Sequence, residues 1–223
     1  MRVRVLVWNV WGFRRGVVAA ADVVRSVGPE ILLLQETGHR GRLADFVREL
    51  DLRVAGESAP RLYPRPVLDA VCVRKPWAID DWRLERFPGA SRWAPRGAAV
   101  ADLGLGPARL RAISTHLGLD HAERVDHTGS LLGLIDGYDG PAVLGGDLNA
   151  RPHQDAAMML GERLHDVWIP AVGPGRTYPA SSPEARIDYL YVSGQVEVLD
   201  ADVVSTDASD HLPVVADLEL PAG

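Results

Sequence analysis

A chain of 223 residues with 47% hydrophobic and 24% charged residues has the size and balance that one hydrophobic core can serve, so a single domain over residues 1–223 is expected and a tail-driven scaffold is excluded. The formal net charge of −6 excludes a global positive field as the means of holding nucleic acid, although cations bound among carboxylates would reverse the sign locally. The single cysteine, Cys72, excludes an intrachain disulfide and a cysteine-based zinc site.

The first element is a strand: Val3, Val5 and Val7 alternate with Arg2, Arg4 and Leu6, a period of two that ends near Asn9. No signal-peptide pattern accompanies it, and no apolar stretch is long enough to span a bilayer, so a cytoplasmic monomer is the expectation. An Ala-rich helix from Val17 to Arg25 follows and stops at Gly28-Pro29. The apolar run Ile31–Leu34 reads as a strand buried on both faces that delivers Gln35 and Glu36 at its end, which completes a βαβ opening. Strands then dominate: Val67–Arg74, Gly97–Leu103 and Leu110–Thr115. A helix over Asp120–Ile135 leads to a buried strand at Ala142–Leu144, and the segment from Val167 to Pro183, rich in Pro, Gly and Ser, reads as a loop. Ile187–Val192, Val196–Val204 and Leu212–Leu218 complete the β content.

Polar residues recur where these strands end, the usual place for function on a rigid sheet. Glu36 needs a cation, a partner or water, because an unpaired carboxylate beside a buried strand is costly; a helix cap or an arginine partner would also satisfy it. Asp147-Leu148-Asn149 puts a carboxylate and an amide on one side of an extended segment, suited to orienting a water, although Gly, Asp and Asn are equally turn formers. Asp188 is the candidate partner that would keep His211 protonated for charge stabilisation or acid catalysis, and His116 is a second candidate acid or phosphate binder. His39, His121, His127, His153 and His165 read as surface or structural residues.

In order, Trp8-Asn9-Val10, Leu34-Gln35-Glu36, Ser114-Thr115-His116-Leu117, Gly146-Asp147-Leu148-Asn149, Arg186-Ile187-Asp188-Tyr189 and Ser209-Asp210-His211 resemble the endonuclease/exonuclease/phosphatase superfamily of DNases, abasic-site endonucleases, neutral sphingomyelinases and inositol-polyphosphate 5-phosphatases. The resemblance implies an α/β fold: a four-layered sandwich of two mostly antiparallel sheets packed face to face, with helices outside. It further implies a hydrolase dependent on Mg²⁺ or Mn²⁺, with Glu36 as principal metal ligand and Asn9 and Asp210 nearby. By the same likeness Asp147 activates water, Asn149 holds phosphate or metal, and His211, bonded to Asp188, contacts the phosphate. Arg96 is similar to an arginine that reaches the phosphate, and His116 to the second histidine of the DNase and sphingomyelinase branches, with Asp69 as a candidate partner. The expected substrate is a phosphate ester, foremost a phosphodiester in nucleic acid, with Arg92, Arg96, Arg109 and Arg111 as a backbone-following face. A small phosphoester, an inositol phosphate or a phospholipid is the alternative, and an inactive binding module of the same fold is the remote one.

Overall fold

The structure, a computed structural model, describes residues 1–38, 40–56, 67–90, 95–168 and 173–221. Strand β1 (Arg2–Asn9) leads into helix α1 (Val17–Val27), whose last turn is closed by Gly28 in the left-handed region at φ 68°, donating to Val24 O. Strand β2 (Ile31–Gln35) pairs parallel to β1, so the expected βαβ unit is present. Helix α2 (Arg40–Glu49) and strands β3 (Arg53–Ala55), β4 (Ala70–Val73) and β5 (Ala78–Arg86) follow, then the hairpin β6 (Gly97–Leu105) and β7 (Ala108–His116). Helix α3 (His121–Asp136) is capped by Asp120, whose carboxylate accepts from Ala122 N and Glu123 N. It crosses to β8 (Ala142–Asp147), parallel to β7. Helix α4 (Asp155–Gly161) and strands β9 (His165–Asp166), β10 (Asp188–Val192), β11 (Glu197–Val203) and β12 (Val214–Glu219) end the order.

The strands form two six-stranded sheets, β11-β12-β1-β2-β4-β3 and β5-β6-β7-β8-β10-β9. Within each sheet only the central pair is parallel and all other pairs are antiparallel. Val5, Val7, Leu33, Val71, Val143 and Leu190 belong to the core between the sheets, where each such side chain contributes roughly 1.5–3 kcal/mol. Helices α1 and α2 cover the outside of the first sheet through Ala21, Val24 and Phe46, and α3 and α4 cover the second through Leu131 and Leu160. The layers are those of the expected four-layered α/β sandwich.

Several elements differ from the sequence expectation. The segment expected as a strand over Val67–Arg74 pairs only over Ala70–Val73. Helix α2 departs from the expectation that strands dominate after Glu36, and Leu43, Phe46, Val47 and Leu50 have the helical spacing that accounts for it. Strand β5 lies at a sheet edge with no fully buried residue, and an irregularity between Ile79 and Asp81 breaks its alternation, so no period of two could announce it.

The two parallel pairs position the site. Their registers end at matching points, Asn9 opposite Gln35 and His116 opposite Asp147, so the carboxyl ends of four central strands meet across the sandwich. Gly145 lets the sheets approach just below: a Cβ there would lie 2.4 Å from Val7 Cγ2 and 2.9 Å from Leu33 Cδ1.

Candidate active site

Asp147 is the hub. Only 2% exposed, its carboxylate accepts from Asn9 Nδ2 at 3.1 Å and from the backbone N–H of Asn149 at 2.9 Å. His116 Nε2 lies 3.3 Å from Oδ2 and His211 Nε2 lies 3.8 Å from the same atom. Burial, opposed by the fields of the histidines and reinforced by Asp188, holds the Asp147 carboxyl above the usual carboxylate range. Asn149 adopts φ 49°, a left-handed backbone that a non-glycine residue rarely takes. Its amide donates to Leu117 O at 3.1 Å, an orientation that sets Nδ2 3.1 Å from His116 Nε2.

The two histidines differ in charge although they face one carboxylate. At His211 burial opposes the proton, but Asp188 overcomes it through its field and its hydrogen bond, and the pKa rises to about 9. His211 Nδ1 is 3.0 and 3.2 Å from the two oxygens of Asp188, and the same carboxylate accepts from Thr177 Oγ1 at 2.5 Å. At His116 burial dominates, Asp147 only partly offsets it, Arg96 and His211 add repulsion, and the pKa falls to about 4. His211 is therefore an imidazolium and His116 a neutral imidazole near pH 7.

Glu36 stands on the open side with its side chain 40% exposed and its backbone at φ 51°. Oε1 is 3.4 Å from Asn9 Nδ2 and 3.8 Å from His116 Nδ1. Burial and the repulsion of Glu36 raise the pKa of Asp210. Buried Asp69 is raised well above its ordinary value by desolvation, with Glu36 and Asp147 adding to the rise and Arg96 opposing it. Glu36 thus repels both Asp69 and Asp210, and Asp147 repels Asp69, a gathering of carboxyl groups that fits a hard divalent cation with oxygen ligands. Ligand atoms of Asp147, Asp188 and His211 also lie within 4.8 Å of one another, so the site contains an acidic and histidine cluster of metal-binding composition. Within it, a protonated His211 has no lone pair to offer and Asp188 is committed to His211 and Thr177, which shifts the better seat toward Glu36.

The structure thus brings together Asn9, Glu36, His116, Asp147, Asn149, Asp188, Asp210 and His211, and it places Arg96 where its charge is felt by Asp69 and His116. The ion pairs of His116 are with Glu36 and Asp147, and Asp69 is not among its partners. The expected arginine face is not assembled. Arg109 lies seven residues before His116 on β7, about 23 Å away at strand rise, and Arg111 is spent on both oxygens of Asp102 and on the ring of Tyr138. Arg92 and His39 lie outside the described residues. His127 is structural: buried, it accepts from Gly118 N at 3.3 Å and packs on Phe87.

Other residues support the site without a role that the sequence assigns to them. Thr177 braces Asp188 from inside the Pro- and Gly-rich loop, and Ser209 donates to Asn9 O at 2.7 Å. Gln35, fully buried, donates to Ser114 Oγ at 2.9 Å, while Ser114 Oγ donates to Leu34 O at 2.9 Å, a polar bridge between the sheets beneath Glu36 and His116. Gln35, Ser114 and Ser209 lie within motifs quoted from the sequence but carry no assigned role there, and nothing local marks Thr177.

Residues 6–211 match a family model described as the Endonuclease/Exonuclease/phosphatase family. A UPF0294 protein of Vibrio vulnificus (strain YJ016) is 24% identical over 238 residues, covering 99% of this chain and 78% of the relative. The fold is similar to that of an endonuclease/exonuclease/phosphatase from Bacteroides vulgatus, with a TM-score of 0.84, 19% identity and coverage of 99% and 100% of the two chains. It is also similar to the mannosyl-6-phosphatase of Bacteroides thetaiotaomicron VPI-5482, with a TM-score of 0.79, 20% identity and coverage of 98% and 100%. No helix among the described residues is long and apolar enough to cross a membrane.

Proposed function

The chain belongs to the endonuclease/exonuclease/phosphatase family, a family of phosphoesterases, and from that premise we propose that it hydrolyses a phosphodiester, with nucleic acid as the substrate class, in a reaction dependent on Mg²⁺ or Mn²⁺. The observation that carries this reading is the seat of Asp147 between a neutral and a cationic histidine. Glu36, Asn9 and Asp210 would hold the metal, which supplies Lewis-acid polarisation of the phosphoryl oxygen when bound. Asp147, made more basic by its burial, orients a water and takes its proton as the water attacks phosphorus in line, while the P–O bond opposite the attack breaks and the leaving oxygen departs to take a proton from solvent. His211, held protonated by Asp188, turns Nε2 toward the reacting phosphate and neutralises charge on a non-bridging oxygen; Arg96 adds to the field. Asn149 binds a phosphate oxygen, and neutral His116 acts as a hydrogen-bonding partner at the same phosphate.

A phosphomonoester substrate is the second reading, supported by the likeness in fold to a sugar phosphatase. Turnover of bis(p-nitrophenyl) phosphate and of p-nitrophenyl phosphate, each with Mg²⁺, Mn²⁺ or EDTA, tests both. Metal-dependent cleavage of the diester is expected. Cleavage of the monoester alone selects the second reading, and turnover of neither substrate in either metal defeats the proposal.

A further inference from the structure

The chain leaves β1 through Trp11, Gly12 and Phe13, which adopt φ values of 47°, 60° and 54° in succession. A left-handed run through two bulky residues persists only where the surroundings impose it. Here they do. Trp11 N donates to Asn9 Oδ1 at 3.0 Å, Gly12 N to Glu36 O at 2.7 Å and Phe13 N to Val10 O at 2.7 Å. Phe13 is buried against Phe46 with ring centroids 5.0 Å apart, and Arg42 donates to Gly12 O at 2.6 Å. Gly38 crosses so near that a Cβ on it would lie 2.8 Å from Gly12 Cα. The turn is therefore bolted to Asn9 and Glu36, two residues of the proposed metal seat.

What this turn displays is a half-exposed Trp11 with the guanidinium carbons of exposed Arg14 and Arg15 at 5.0 and 5.8 Å from its ring centroid. Arg4, Arg25, Arg111 and Arg186 are each matched to a carboxylate, whereas among the described residues Arg14 and Arg15 make no ion pair and no side-chain hydrogen bond. A guanidinium held over an aromatic face keeps its in-plane N–H donors free, and that fork matches two phosphate oxygens.

We propose that Trp11, Arg14 and Arg15 form a binding site for a second phosphate of the substrate, the one neighbouring the phosphate that is cut. The identity of the ligand rests on the phosphodiesterase reading; the anion site rests on the turn. The site selects a polyphosphodiester strand over an isolated diester, because only the former carries a neighbouring phosphate. It also supplies the basic surface that Arg109 and Arg111 do not.

The test compares the wild type with Arg14→Ala/Arg15→Ala and Arg14→Lys/Arg15→Lys, exposed changes that leave the core intact. One arm measures cleavage of a labelled oligonucleotide and of bis(p-nitrophenyl) phosphate. The other measures fluorescence anisotropy of the oligonucleotide in EDTA, where nothing is cut. The alanine pair should raise KM for the oligonucleotide about tenfold or more with little change in kcat, and leave the small diester unchanged. Binding in EDTA should weaken by a similar factor, with the slope of log affinity against log salt reduced by about 1. The lysine pair should recover the salt slope but only part of the affinity, since it restores charge without the fork. Equal losses on both substrates, or unchanged binding in EDTA, would overturn the site. Binding that depends on Arg14 and Arg15 in a protein that cuts neither substrate would keep the site and defeat the catalytic reading.

Discussion

His211 turns Nδ1 to 3.0 Å from Asp188 Oδ2, and this one pairing decides the charge of the imidazole that faces Asp147. Burial alone would deprotonate His211; Asp188 reverses that. In Asp188→Asn the amide can still accept from Nδ1 but carries no charge. The His211 pKa should then fall well below about 9, with only Asp147 and Asp210 left to oppose its burial, and phosphodiester turnover at pH 7 should drop by about 100-fold or more. Two-dimensional NMR of the imidazole protons follows the first effect. A His211 that still titrates near 9 in the variant would falsify the pairing.

The contrast between a cationic His211 and a neutral His116 makes a second prediction for the metal-free protein. His211 should titrate near 9 and His116 near 4. The signs for stability follow. The raised pKa of His211 contributes stability that is fully present below about 6.5 and is lost as pH rises through about 9. The lowered pKa of His116 acts the other way: its contribution is present above about 6.5 and is lost as pH falls toward 4. Urea denaturation across pH should therefore show a maximum between those limits, and His116→Gln should flatten the acid side selectively.

Removing the proposed metal ligand separates binding from folding. Glu36 is partly exposed and contributes no core packing, so Glu36→Ala should melt within a few degrees of the wild type, apart from relief of its left-handed backbone. Calorimetric binding of Mn²⁺ should be lost or weakened by about 100-fold, and turnover should fall with it. Wild-type Mn²⁺ affinity in this variant would remove Glu36 from the metal seat.

How much of this was legible in the sequence depends on whether a residue announces itself locally. Strands β1, β2, β7 and β8 carry apolar runs whose ends are marked by a polar residue, so Asn9, Glu36, His116 and Asp147 could be read as strand-end groups. Their convergence could not be read, because it follows from two parallel pairs meeting across the sandwich; only the ordered motifs of the family resemblance supplied it. The arginine face failed for a related reason. Arg96, Arg109 and Arg111 are near in sequence, but a strand separates its two ends, and β7 carries Arg109 away from the site it delivers His116 to. Thr177 reaches Asp188 from a loop without periodicity, and the left-handed backbone of Trp11 and Phe13 contradicts every local preference of those residues, as strain at functional sites tends to do.

The bridge between the sheets gives a stability prediction. Ser114 accepts from Gln35 Nε2 and donates to Leu34 O, while Gln35 Oε1 has no partner among the described residues. Ser114→Ala should cost about 1–3 kcal/mol in urea denaturation, because it leaves buried polar groups unpaired. Val at the same position should not restore the loss, since it supplies volume and no hydrogen bond. Full recovery by Val would mean that packing, and not the hydrogen bond, is what Ser114 provides.

The close approach of the sheets at Gly145 can be tested by adding and removing volume. A methyl group at this position would meet Val7 Cγ2 at 2.4 Å, Leu33 Cδ1 at 2.9 Å and Tyr189 O at 3.2 Å. All three flank the strand ends that carry Asn9, Glu36 and Asp188. Gly145→Ala should therefore destabilise by about 1–3 kcal/mol through overpacking and, by parting the sheets, lower turnover more than the loss of folded protein accounts for. Val7→Ala alone should also destabilise, because it opens a cavity between the sheets. In the double variant the new methyl fills the space left by Val7, so the two losses should fall short of additivity by about 1 kcal/mol or more, with partial recovery of turnover. Strict additivity in denaturation would show that Gly145 and Val7 do not share that space, and that the site is not held to its spacing by the approach of the two sheets at this point.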